Sequence, residues 1–375
     1  MNDVCKAYQL EEFRRRQRMK VLRQTLQASM PDKYKDIWWC KDEAVAEIRA
    51  QIVESTNHCV IDGFLGNAAF ERVKEEVHCA KSEGILDIDG VLTFKGREES
   101  IRTDKLGWFD CTTQPNGAQC YFTESRADGS GDEPRENQEG VGADGWPHLQ
   151  YLLQRIETVV SELGEAGTTE PSTTSDEAIR HTLSASKTRS KVMVTCYDGR
   201  DDDSSRYTPH VDNGNKNGRT ITAIYYLNES WKHRHGGALK LYARTRTEDG
   251  SLIGPEYQLE GEQEGVDTQS VHTTVEPLAD RLVLFLSDWR TPHEVLPTHR
   301  DRFAVTVWFY DPSEKKEANA RAAAASSASN ISEISESHAD RSECDSDDES
   351  DSAVEAIKLE PVSTIFTATD PDDLD

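Results

Sequence analysis

Three residues have the types and spacing needed to hold a redox-active metal ion. His210-Val-Asp212 places an imidazole and a carboxylate two positions apart in a strand-like segment, and Pro292-His293-Glu294 supplies a second imidazole far downstream. Side chains at i and i+2 of a strand point to the same face, so His210 and Asp212 are expected to chelate one ion together, with His293 as the third ligand. A two-histidine, one-carboxylate facial triad leaves positions of an octahedral iron open, which oxygen chemistry requires. On its own, H-x-D with a distant histidine is a weak signal, and a histidine such as His293 is more often bound to no metal. Arg302 strengthens it, standing nine residues after His293 at the head of Arg302-Phe-Ala-Val-Thr-Val-Trp-Phe-Tyr310. Alternation puts Arg302, Ala304 and Thr306 on one face. The guanidinium is then expected to hold the distal carboxylate of 2-oxoglutarate through a bidentate fork. An arginine in a surface ion pair is the alternative.

The elements that must position these residues read as follows. From Lys191 onward, β-branched and aromatic segments alternate with turn residues, predicting strands over Val192–Tyr197, Tyr207–Val211, Thr220–Leu227, Ala238–Tyr242, Arg281–Leu286 and Phe303–Tyr310. This spacing suits an all-β core with flanking helices, closed as a double-stranded β-helix, or jelly roll, with helical support from the N-terminal side. Upstream, Val60–Leu65 reads as a strand leading into a helix over Ala68–Ser82. Gly84–Arg102 reads as a polar loop between short strands, and Trp146–Leu163 as a helix. Residues 8–28 predict a surface helix with a thin apolar series at Leu10, Phe13, Val21, Leu22 and Leu26. The basic run Arg14-Arg-Arg-Gln-Arg18 within it is expected to be a solvated face, with a nuclear import signal as the minority reading. Three parts result: an N-terminal helical extension over 1–54, a catalytic domain over 55–312 and an acidic tail over 313–375. The domain's jelly-roll core spans 190–312, and 124–145, 164–189 and 244–272 are expected to be low-order insertions.

Composition narrows the function classes. The formal net charge is −26, and the tail from Ser313 contributes 17 acidic against 5 basic residues. Such a surplus repels nucleic-acid backbones, so DNA and RNA are not expected partners, whereas a protein with basic surroundings is. The tail is rich in Ala, Ser, Asp and Glu and is expected to be disordered, with Ser346 a site for an acid-directed kinase. No apolar run approaches the length of a membrane span, and the N-terminal residues resemble no secretory signal. The eight cysteines form no C-x-x-C pair. They are expected to be reduced thiols in a cytoplasmic or nuclear protein, not a disulfide framework or a zinc site.

Longer motifs carry a family resemblance. Lys191–Tyr197, Tyr207-Thr-Pro-His-Val-Asp-Asn213, Gly218-Arg-Thr-Ile-Thr-Ala-Ile-Tyr-Tyr-Leu-Asn228, Asp280–Val295 and Arg302–Trp308 together resemble the catalytic core of the hypoxia-inducible-factor prolyl hydroxylases. Val60–Gly66 and Ile101-Arg-Thr-Asp-Lys-Leu-Gly-Trp108 are similar as well, so the resemblance spans roughly residues 55–312 with gaps.

The resemblance implies that His210, Asp212 and His293 hold Fe(II) and that Arg302 pairs with the 2-oxoglutarate carboxylate. It places Tyr226 on the same carboxylate with Thr306 close by, while Tyr225 takes a packing role. Tyr197 is implied to line the entrance near the cosubstrate, with an ordinary strand aromatic as the alternative. Arg219 and Trp308 are implied to lie beside the substrate proline. Asp104 follows the loop that closes over it, and closure is expected to pair Asp104 with Arg219.

The implied activity is hydroxylation of a proline in a protein substrate in oxygen sensing, with O2 as cosubstrate and ascorbate as reductant, by a monomer. A ubiquitin-ligase adaptor or other protein as target is the alternative, and a non-catalytic binding module is the reading from another class. The sequence departs from the animal enzymes by extra residues near Asp201–Asp203 and by longer connectors, and it lacks the cysteine-rich zinc module of some members. Loops at a barrel mouth set partner choice, so these departures bear on substrate identity and not on the metal.

Overall fold

The structure is a computed structural model, and it describes residues 3–86, 102–114, 117–123, 146–165, 174–186, 188–242, 245–246, 252–253, 272–321 and 324. The expected insertion 124–145 lies outside the described residues. So do nearly all of Gly84–Arg102, most of 244–272 and most of the tail, including Ser346.

Strands β1 (His58–Asp62), β2 (Lys105–Gln114), β3 (Gly117–Thr123), β5 (Val192–Tyr197), β7 (Arg219–Tyr226), β12 (Arg281–Leu286) and β14 (Arg302–Tyr310) form one antiparallel sheet. Its order is β1-β12-β7-β14-β5-β2-β3, with the short β4 (Thr188–Arg189) also paired to β14. Strands β6 (Tyr207–His210), β8 (Leu239–Tyr242), β11 (His272–Val275) and β13 (His293–Val295) form a second sheet in the order β11-β8-β13-β6. A two-residue hairpin, β9 (Thr245–Arg246) with β10 (Leu252–Ile253), lies within the expected insertion 244–272.

Strands β5, β7, β12 and β14 are buried at every residue, because both faces of the large sheet are covered. Period two sorts their side chains. On β14, Phe303, Val305, Val307 and Phe309 join the helix-side core, while Ala304, Trp308 and Tyr310 belong to the clusters on the opposite face. On β12, Leu282, Leu284 and Leu286 face the helices, and Val283 and Phe285 face the second sheet.

The helix-side core is closed by α2 (Asp42–Gln51), α3 (Asn67–Ser82), α4 (Pro147–Glu165) and α5 (Thr174–Ala185). On α4, Leu149, Leu152, Leu153, Ile156, Val159, Val160 and Leu163 recur at helical spacing, so one stripe of the helix is buried. Tyr225 takes its packing role on this side, where its hydroxyl donates to Asp280 Oδ1 at 2.8 Å.

Several expectations are corrected. Helix α1 (Asp3–Ser29) exceeds the predicted span, and Leu10, Phe13 and Val21 are exposed at 50%, 59% and 58%. Its contacts instead run through buried Met19, partly buried Leu22 and Leu26, and a polar anchor. In that anchor Glu12 meets His58 at 3.2 Å, and Arg15 donates to Thr56 at 2.9 Å. Arg16 donates to the Thr274 carbonyl, so the basic run is not simply a solvated face. The connector 164–189 contains α5, whose Ile179 and Leu183 are core residues. Cys40, Cys59, Cys79 and Cys196 are free, but Cys111 is disulfide-bonded, and the residue opposite it across the β2–β3 hairpin is Cys120. A hairpin brings together cysteines too far apart in sequence for the C-x-x-C criterion to register. Residues 313–321, placed in the tail, belong to a helix that begins at Pro312. No described helix is long and apolar enough to cross a membrane.

Candidate active site

A cavity opens between the two sheets, walled by β5, β7 and β14 on one side and by β6, β8 and β13 on the other. Strand β13 pairs with β6 so that His293 stands opposite His210, with ring centroids 4.2 Å apart. Strand β6 ends at His210, and Asp212 opens the turn that follows. The expectation that both side chains share a strand face is therefore corrected, because the turn and not the pleat swings Asp212 inward. The outcome is still convergent. His210 Nε2 lies 3.7 Å from Asp212 Oδ1, His293 Nε2 lies 3.8 Å from Asp212 Oδ2, and the three residues offer ligand atoms within 4.8 Å of one another.

The protonation pattern suits a metal ion. His210 Nδ1 faces the Thr208 carbonyl at 2.8 Å and His293 Nδ1 faces the Thr291 carbonyl at 3.1 Å. A carbonyl only accepts, so each Nδ1 carries a proton and Nε2 is the nitrogen turned toward the cluster as the ligand atom. Burial and the neighbouring His293 push the His210 imidazolium down to about 3, keeping the ring neutral. Burial opposes ionisation of Asp212, but His293, His210, Arg219 and the Thr222 hydrogen bond outweigh it and hold the carboxyl below its ordinary range. Thr222 donates to Asp212 Oδ2 at 2.6 Å and sits 2.8 Å from the Ser287 hydroxyl, fixing the carboxylate plane.

Arg302 lies on the large sheet facing the cavity and is only 2% exposed. Its Nε donates to the Gly237 carbonyl at 2.7 Å and its Nη2 to the Tyr226 hydroxyl at 3.2 Å. A Cβ on Gly237 would come within 3.0 Å of Arg302 Cδ, so glycine is what lets this loop approach. Among the described residues no carboxylate pairs with Arg302. A buried guanidinium without a counter-ion is costly, and an anion entering the cavity would relieve that cost. This is the observation that fits the chain to a dicarboxylate such as 2-oxoglutarate.

Eight of the ten residues singled out from the sequence wall this cavity: His210, Asp212, His293, Arg302, Tyr197, Thr306, Arg219 and Trp308. Tyr226 stands behind the wall, bonded to Arg302. Asp104 does not reach it. That residue is fully buried and accepts from Arg102 Nε at 2.7 Å and from Arg102 Nη2, while the Arg219 guanidinium lies 4.3 Å from the centre of the Trp308 ring. The expected pairing of Asp104 with Arg219 belongs to the closed, substrate-bound complex, and in the ligand-free chain Asp104 pairs with Arg102. Arg102, Tyr207 and Thr222 are wall residues that the sequence reading passed over. Tyr207 stacks on His210 at 3.7 Å, and Arg102 lies 4.7 Å from the centre of the Tyr207 ring. Thr222 had a legible signal, since it shares the strand face of Ile224 and Tyr226.

The model of the 2OG-Fe(II) oxygenase superfamily matches residues 192–310. Prolyl hydroxylase EGLN3 of Mus musculus is 41% identical over 267 residues, covering 70% of this chain and 82% of that protein. The chain belongs to the prolyl hydroxylase family of 2OG-Fe(II) oxygenases. The Hypoxia-inducible factor prolyl hydroxylase of Caenorhabditis elegans is 29% identical over 282 residues, covering 73% of this chain and 30% of that much longer protein. A solved prolyl hydroxylase from Trichoplax adhaerens, in complex with a hypoxia inducible factor oxygen degradation domain peptide fragment, has a TM-score of 0.48 and 24% identity. It covers 73% of this chain and 92% of that one. This prolyl hydroxylase family works with Fe(II), 2-oxoglutarate and O2, with ascorbate as the usual reductant.

Proposed function

We propose that this chain hydroxylates a proline of a protein substrate of the hypoxia-inducible-factor type, in oxygen sensing, in the cytoplasm or nucleus. The observation that carries the reading is the pairing of a two-histidine, one-carboxylate cluster with a buried guanidinium that meets no carboxylate among the described residues in the same cavity. A binding module has no use for that pairing.

In this reading His210 Nε2, His293 Nε2 and an Asp212 carboxylate oxygen hold Fe(II). Arg302, with the Tyr226 hydroxyl, holds the distal carboxylate of 2-oxoglutarate, and Thr306 and Tyr197 shape the space around it. Bound iron and 2-oxoglutarate supply the activation of O2, coupled to decarboxylation to succinate and CO2, that places a hydroxyl on the substrate. Thr208 and Thr291 keep the histidines in the ligating tautomer. Tyr207 fixes the plane of His210. Trp308 and Arg219 present an aromatic face and a cation beside the space left for the prolyl ring, and the apolar wall of Ile224, Leu239 and Val295 excludes water.

The test is mass spectrometry of hypoxia-inducible-factor-type peptides incubated with the purified chain, Fe(II), ascorbate and 2-oxoglutarate. An oxygen added to proline is expected. Consumption of 2-oxoglutarate unaffected by any such peptide would move the substrate to another protein class.

A further inference from the structure

The helix over residues 312–321 follows β14 directly and begins as its sequence dictates. Asp311 caps it, accepting from the amides of Ser313 and Glu314 at 2.8 and 3.3 Å, and Pro312 occupies the first helical position. In a capping box the glutamate at the third position reaches back to its own cap. Glu314 does something else: its Oε2 accepts from Asn213 Nδ2 at 3.1 Å, in the turn that begins with Asp212.

That turn is a closed circuit. Asn213 Oδ1 accepts from the Asn217 amide at 2.7 Å, Asn217 Nδ2 donates to the Asp212 carbonyl at 3.0 Å, and Asn217 Oδ1 accepts from the Arg219 amide at 3.1 Å. Two side chains thereby tie the backbone of Asp212 to that of Arg219, and Glu314 is the helix side chain bonded directly to the circuit's own side chains. Two further contacts press the same surfaces together. Arg321 donates to the Lys216 carbonyl at 2.7 Å, and a Cβ on Gly218, whose φ is +91°, would meet the Lys315 amide nitrogen at 2.7 Å.

We propose that Glu314 is a positioning residue for the hydroxylation reaction. Through Asn213 and Asn217 it sets where Asp212 meets the metal and where Arg219 meets the substrate, so the catalytic unit extends through the helix 312–321. Arg302 and Tyr226 lie on β14 and β7, away from this turn, and the 2-oxoglutarate end of the cavity is independent of Glu314. The inference rests on the reading of Asp212 as a metal ligand.

The test uses the full chain as wild type, Glu314→Ala, Glu314→Gln and Asp212→Ala. Binding of Mn(II), an oxygen-inert probe, is followed by the resonance signal of the free ion, and half-saturation by protein substrate and by 2-oxoglutarate is measured in parallel. Losing a direct partner of a ligand typically costs about 10- to 100-fold in metal affinity, so this more remote contact is expected to weaken Mn(II) by about threefold to tenfold. Glu314→Ala should also raise the KM for protein substrate and leave that for 2-oxoglutarate unchanged. Glu314→Gln keeps an oxygen acceptor for Asn213 and should restore both. Wild-type Mn(II) affinity and KM in Glu314→Ala would overturn the proposal, as would equal impairment in Ala and Gln, or a loss of thermal stability without a change in Mn(II) affinity. If Asp212→Ala binds Mn(II) as wild type does, the metal-site reading itself fails, a result distinct from failure at Glu314.

Discussion

Replacement of Arg302 by alanine separates the cost of the site from its use. In the free protein the guanidinium is 2% exposed, donates to the Gly237 carbonyl and the Tyr226 hydroxyl, and has no carboxylate partner among the described residues. Removing it relieves an uncompensated buried charge while deleting two hydrogen bonds and opening space. These effects oppose each other, so thermal stability without ligand is expected to change little. With 2-oxoglutarate the balance is different, because breaking a buried, charge-assisted pair costs about 3–5 kcal/mol. At 1.4 kcal/mol per tenfold this is a rise of about 10²- to 4 × 10³-fold in the half-saturating 2-oxoglutarate concentration. Tyr226→Phe removes one neutral contact and should cost about 1 kcal/mol, or roughly fivefold. The assay is 2-oxoglutarate titration of succinate release, together with the 2-oxoglutarate-dependent rise in melting temperature. That rise should vanish in Arg302→Ala. An unchanged half-saturation would refute the assignment of Arg302 as the anion clamp.

His210→Ala and Asp212→Ala should each abolish turnover, because two remaining ligands hold iron poorly. Wild-type-like succinate release in either would refute the triad. Asp104→Ala removes the carboxylate that accepts from two nitrogens of the buried Arg102 and should destabilise the fold by about 3–5 kcal/mol in urea unfolding, whereas a surface contact would cost under about 1 kcal/mol. The carboxyls of Asp198 and Asp301 are partly buried, but hydrogen bonds from Lys81, with Lys105 also on Asp198, hold both below their ordinary range. Their contribution to stability is present above the unfolded carboxylate pKa and lost as pH falls through the lowered folded values. Asp301→Asn should therefore flatten the acid limb of the melting-temperature profile below about pH 4, and an unchanged limb would remove the linkage.

The strands of the core were legible because period two and β-branched composition coincide there: Val192–Tyr197 and Arg281–Leu286 stand where the pattern puts them. His293 and Arg302 were legible through their order and spacing. What the sequence hid is tertiary. The exposure of Phe13 and Val21 follows from α1 docking through Glu12 and Arg15, a polar contact that no apolar count detects. The pairing of Asp104 with Arg102, two residues away, is a buried local contact that no motif or spacing in the sequence signals. The helix after β14 was submerged in the acidic composition of the tail, although Asp311-Pro312-Ser313-Glu314 is a helix-start signature in its own right.

The most direct test of the central claim is to supply isotopically heavy O2 with 2-oxoglutarate and a hypoxia-inducible-factor-type peptide and to follow the label. One heavy oxygen on proline, accompanied by succinate in equal amount and absent from His293→Ala, is the predicted result. Proline that stays unlabelled while the wild-type chain turns over 2-oxoglutarate, or label that appears without 2-oxoglutarate, would contradict the account.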